Sequence, residues 1–99
     1  MIFDGKWQVS IATPIGKQSV VFDISTQDGV IHGTAKQGEE IVEFIDPVIE
    51  NERLVWLQVV TKPLSLRLKF EVTVEGDHMS GTAKTGMLPT SKVSGERVA

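Results

Sequence analysis

Glu43 and Asp46 are the two side chains in this sequence whose setting could support chemistry. Glu43 stands among Ile41, Val42, Phe44 and Ile45. A carboxylate turned into an apolar interior is costly to ionise, which makes it a proton acceptor or a hydrogen-bonding anchor. If residues 41, 43 and 45 share an inward face, Glu43 is such a group; a bulge at Pro47 would turn it to solvent and bring Phe44 inward. Asp46 precedes Pro47 and falls at the expected bend, where its carboxylate could accept backbone N–H groups or act as a second acid/base group. The chemistry these two would carry is proton transfer without a cofactor, as in an isomerase, hydratase or cyclase.

Little else reads as catalytic machinery. His32 and His78 lack the spacing of a metal pair, there is no cysteine, and surface positions are expected for both, so no metal site is predicted. No nucleophile-elbow glycine pattern and no glycine-rich phosphate loop accompany the serines and aspartates. Binding is the other candidate activity. Trp7, Phe22, Trp56, Leu68, Phe70 and Met79 are the side chains expected to supply apolar contact area to a ligand.

The elements that must position these groups follow from a repeat. Gly33-Thr34-Ala35-Lys36 returns as Gly81-Thr82-Ala83-Lys84, an offset of 48 that also carries Thr13 onto Thr61, Val20 onto Leu68, Phe22 onto Phe70 and Ile24 onto Val72. Two similar halves, about 5–50 and 53–98, make up one domain over 1–99. Within each half the apolar residues alternate, the period of a half-buried strand. Trp7, Val9 and Ile11 mark strand one, which ends at Thr13-Pro14, and Val20, Phe22 and Ile24 mark strand two. Ile31, Gly33 and Ala35 face inward on strand three, and His32 outward. Strand four runs from about Glu40 to Glu50, bent at Pro47 because proline cannot donate to the ladder. Strand five, Arg53 to Thr61, is apolar on both faces; strand six alternates Leu66, Leu68, Phe70, Val72 and Val74 with polar residues. Strand seven repeats strand three with Met79, Gly81 and Ala83 inward, and strand eight, about Thr90 to Arg97, repeats strand four. That offset also carries the inward parity of Val93, Gly95 and Arg97 back onto Ile41, Glu43 and Ile45.

Eight short strands in meander order predict an all-β, antiparallel up-and-down barrel, since closure satisfies every edge; an open sandwich is the rival. The loops divide by chemistry. The connections after strands two, four and six are tight and polar, whereas those after strands one, five and seven carry Pro14, Ile15, Pro63, Leu64, Met87, Leu88 and Pro89, giving one end an apolar rim. Trp56 aligns with outward Gln8 under the offset, or with inward Trp7 if one residue is bulged. Outward, it joins Val42 and Phe44 in an exposed patch and suggests a homodimer through Phe44 and Trp56; inward, it becomes a wall of the interior.

Composition removes several classes. Over 99 residues, net charge is −3 and the lysines and arginines are scattered, so nucleic acid is not an expected partner. The N-terminus reaches Asp4 and Lys6 at once, and no apolar run is long enough to span a bilayer, so neither a leader nor a membrane anchor is expected. The absence of cysteine leans toward the cytoplasm.

Gly5-Lys6-Trp7 on strand one with Arg97 near the end of strand eight resembles the calycin signature, a Gly-x-Trp on the first strand and an arginine on the last, found in lipocalins, fatty-acid-binding proteins and avidins. The resemblance implies that Arg97 lies across the Trp7 indole and that the barrel encloses a place for a small hydrophobic molecule. No room exists here for the flanking helix of lipocalins or the helical lid of fatty-acid-binding proteins. The expectation is thus a small calycin-like barrel holding a small hydrophobic or aromatic molecule. Its alternatives are the cofactor-free enzyme using Glu43, and a ligand-free structural or oligomerisation module whose interior is filled by side chains.

Overall fold

A computed structural model of the chain describes residues 2–13, 16–60, 66–86 and 88–99. Among the described residues, nine antiparallel strands run in chain order: β1 (Gly5–Thr13), β2 (Gly16–Gln27), β3 (Val30–Gln37), β4 (Glu40–Glu43), β5 (Ile45–Glu50), β6 (Arg53–Val60), β7 (Leu66–Glu75), β8 (His78–Lys84) and β9 (Ser91–Arg97). They form one sheet in the order β4-β3-β2-β1-β9-β8-β7-β6-β5. The first and last strands are neighbours, with Trp7 opposite Arg97 and Val9 opposite Gly95. The sheet curls into a nearly closed antiparallel up-and-down barrel, which is consistent with the resemblance to small calycin-like barrels.

The count is nine rather than eight because expected strand four changes partner partway along. Its first part pairs with β3, Thr34 opposite Glu43, and its second with β6, Ile45 opposite Leu57. Phe44 stands between them, its N–H donating to the Gly33 carbonyl at 2.9 Å. Between Ile45 and Val48 the register shifts: β5 advances three residues while β6 advances two, the extra residue of a β-bulge. Asp46 takes φ of 49° there, next to the proline that cannot join the ladder. One strand thus serves both margins of the gap, leaving the sheet nearly closed.

The inward reading of Glu43 is overturned by this bulge, and the outward reading of Trp56 by the pairing of β6 with β7. A single inserted residue flips every side chain on one side of it. Ile49, beyond the bulge, keeps the inward parity of Arg97 and faces Leu54, but upstream of it Val42 and Phe44 point inward, while Ile41, Glu43 and Ile45 face out. Trp56 is likewise buried and opposite Phe70, as Trp7 is opposite Phe22. The outward patch of Trp56 with Val42 and Phe44 does not form.

Apolar side chains of the inward set fill one core. At its middle, the Trp56 indole lies stacked between Phe44 (centroids 4.0 Å apart) and Phe70 (5.0 Å), and Phe22 meets all three rings edge-on at 5.3–5.8 Å. Each such contact contributes about 0.5–1.5 kcal/mol beyond burial. Gly33 is part of this packing, because a Cβ there would lie 2.3 Å from the Phe44 ring. The volume that the small residues of β3 free is therefore taken up by phenylalanine.

Candidate functional site

The two ends of the barrel are built differently. At the end where the chain begins, residues 2–4 cross under the strands and bury Phe3, and the Trp7 indole N–H donates to the Phe3 carbonyl at 2.9 Å. Arg97 lies over the Trp7 ring, its guanidinium carbon 4.3 Å from the centroid, and donates to the carbonyls of Ile2 (3.0 Å), Gly76 (3.2 Å) and Asp4. It also meets the Asp77 carboxylate at 2.8 Å, but that partner is largely exposed and such a pair adds about 0–1 kcal/mol, so the carbonyl bonds and the indole contact matter more. Gly5 is required at φ of 128°, where a Cβ would sit 2.8 Å from the Ala99 carbonyl oxygen. The Gly5, Trp7 and Arg97 signature is thus a clasp joining the chain's two ends beneath the core. Met79 is buried in the same core.

At the opposite end, Ile11, Val20, Val93 and Ala83 are buried, while inward Val42 and Leu68 are only partly covered. Among them sits Gln58 on β6, directly opposite Leu68 and 4% exposed, the one polar residue buried among those described. The Trp56 indole N–H donates to Gln58 Oε1 at 3.1 Å. Indole nitrogen can only donate, so the amide orientation follows: oxygen toward Trp56, nitrogen away from it. Nε2 makes no hydrogen bond to protein among the described residues, and no sealed side-chain nitrogen or oxygen lacks a partner, so Nε2 keeps a contact with solvent. Of the apolar rim residues, Leu88 and Pro89 are exposed here; Pro14, Ile15, Pro63, Leu64 and Met87 lie outside the described residues.

The six expected ligand contacts are accordingly spread along the barrel. Trp7 belongs to the clasp, Phe22, Trp56 and Phe70 to the central stack, Leu68 to the Gln58 end, and Met79 is buried between Val74 and Gly95 on the neighbouring strands. Phe3 and Gln58 were not among the expected residues. Gln58 had a signal, as the lone polar residue in the apolar run from Leu54 to Val60; Phe3 lies before the first alternating stretch and had none.

Glu43 is on the outer surface, exposed, and so is Asp46. The interior placement on which proton transfer at Glu43 depends is not the one the chain adopts, and the Asp46 carboxylate accepts no hydrogen bond among the described residues. Glu43 instead borders an open outer cleft of about 330 Å³ at the gap between β3 and β5, together with Asp23, Ser25, His32 and Thr34, floored by Ile31 and Phe44. His78 is exposed and contacts Glu96 at 3.0 Å. Among the described residues, no three His, Cys, Asp or Glu side chains gather to hold a metal ion, and no helix is long and apolar enough to cross a membrane.

One apolar stripe does lie outside. Ile45 faces Leu57 and Val48 faces Val55 across β5 and β6 on the outer face, Ile45 and Val48 being 40% and 48% exposed, Leu57 half-buried and Val55 buried. Comparison with protein-family models, with curated proteins and with solved structures yields no match to this chain. Its function must be argued from its own geometry.

Proposed function

We propose that this chain is a small calycin-like binding module that holds a small, mainly apolar or aromatic molecule at the Gln58 end of its barrel. The observation that carries the reading is Gln58 itself. Burying an amide at the end where Leu68 and Val42 lie, beside the Trp56 ring, is unfavourable unless its polar atoms are used, and one of its two ends has no partner among the described residues. The aromatic stack forms the floor of the site and partly covered Leu68 and Val42 its wall. The clasped end, sealed by Phe3, has a structural role. In finer terms the barrel is a duplicated one, a reading supported by equal registers: Phe22 opposite Ala35 and Ile24 opposite Gly33 in one hairpin, Phe70 opposite Ala83 and Val72 opposite Gly81 in the other. The cysteine-free composition supports a cytoplasmic setting. Single-tryptophan variants test the site: with apolar dyes, Trp7→Phe, which keeps Trp56, is expected to show saturable quenching, and Trp56→Phe none. A flat response in both would favour a filled, ligand-free barrel.

A second copy of this chain is the partner that the outer face fits. The stripe of Ile45, Val48, Val55 and Leu57 is flanked on the β4–β5 side by Glu43, Asp46 and Glu50 and on the β6–β7 side by Arg53, Arg67 and Lys69, which outnumber Glu71, the carboxylate that stands 3.8 Å from both Arg53 and Lys69. A two-fold axis parallel to the strands lays the acidic flank of one copy over the basic flank of the other, which makes the face self-complementary. Light scattering should find a dimer that Ile45→Glu converts to monomer; a monomeric parent protein would remove this proposal.

A further inference from the structure

We infer that the molecule held at the Gln58 end carries a hydrogen-bond acceptor, such as a ketone, ester or carboxylate oxygen, on its apolar body, and that it docks with that oxygen on Gln58 Nε2. The inference rests on the binding reading above and adds the polarity of the ligand and its direction of entry. Gln58 could in principle present either face of its amide, and the two faces select opposite ligands. The choice is made by Trp56. Its indole nitrogen has a proton to give and no lone pair to receive one, so the 3.1 Å contact occupies Oε1 and leaves the two Nε2 protons pointing elsewhere.

No described side chain or backbone carbonyl accepts either proton. A ligand whose only polar group is a donor, such as an ammonium ion, would meet N–H against N–H and be repelled. A pure hydrocarbon would cover Nε2 and take it from water with nothing in exchange, a loss that a matching oxygen avoids. Leu68, opposite Gln58, and the partly covered Val42 at the same end ask for an apolar body. One polar atom at the inner tip of an apolar molecule satisfies both demands, and the molecule enters acceptor first.

Acetophenone and cumene, similar in shape but with and without the carbonyl, are the probes. Each is titrated into the uniformly ¹⁵N-labelled protein, and the Trp56 indole and Gln58 side-chain amide signals are followed. The expected result is a downfield move of the Gln58 Nε2 protons with acetophenone and not with cumene. In Gln58→Leu, the preference for acetophenone over cumene should fall about fivefold, the size of one neutral hydrogen bond. The Trp7 indole signal, held in place, reports that the variant is folded. If both probes move Trp56 but neither selects Gln58, and the preference is the same in Gln58→Leu, the acceptor inference is overturned while the binding reading stands. If neither probe moves Trp56, both fall. Should Gln58→Leu not fold, the parent protein's Gln58 amide signals decide alone.

Discussion

Each tryptophan of this chain spends its one N–H at a different end of the barrel, and the contrast separates structure from function. Trp7 donates to a backbone carbonyl, Phe3, that has no other purpose at that point, and the whole end is knotted by Arg97 to the N-terminal segment and the turn at Gly76 and Asp77. Trp56 donates to a side chain, Gln58, that is left holding two further donors. Both indoles are buried, stacked or covered, and paired across a hairpin with a phenylalanine. At one end Trp7 and Arg97 have their partners within the protein; at the other, Gln58 Nε2 has no acceptor among the described residues and is left to solvent. A donor that a largely buried side chain leaves to solvent at the margin of the core is where a ligand is expected.

The largest effect should come from the complete end. Trp7→Ala removes a fully buried indole, its bond to Phe3 and the surface under Arg97, and is expected to cost about 4 kcal/mol in urea unfolding. A loss under about 1 kcal/mol would mean that the clasp does not hold the barrel. Arg97→Ala should cost about 2 kcal/mol, with little dependence on salt, because backbone carbonyls rather than exposed Asp77 are its main partners; a strong salt dependence would reverse that ranking. Gln58→Leu orphans the Trp56 N–H and is expected to cost about 1–2 kcal/mol, sharpening the contrast by affecting probe choice where Arg97→Ala does not. Glu43→Gln should be smallest, within about 0.5 kcal/mol in stability and without effect on probe affinity, since the carboxylate is exposed on the outer wall. A clear loss of binding there would shift attention to the outer cleft.

Much of this was legible in the sequence, and the failures share one cause. Alternation gives the inward faces of β1, β2, β3, β7 and β8, because each strand has a polar face against water and an apolar one against the core. The clasp of Trp7 and Arg97 is readable from its motif. What is not readable is parity through a bulge. Pro47 announces an irregularity without saying how many residues it absorbs, and the answer, one, exchanges Glu43 for Phe44 on the inner face and creates the ninth strand. Trp56 is misread for a related reason, since β6 sits one residue out of step with β1 and is apolar on both faces. Its placement is decided by the available partners, Phe44 and Phe70, which only the fold brings together.

The most direct test uses the two indole N–H signals, which report the two ends separately. In a titration with acetophenone, the Trp56 signal and those of Leu68 and Val42 are predicted to shift in a saturable way while the Trp7 signal stays fixed. Equal movement of Trp7, or shifts gathered at Asp23, His32 and Glu43 on the outer cleft with Trp56 unmoved, would contradict the assignment of binding to the Gln58 end.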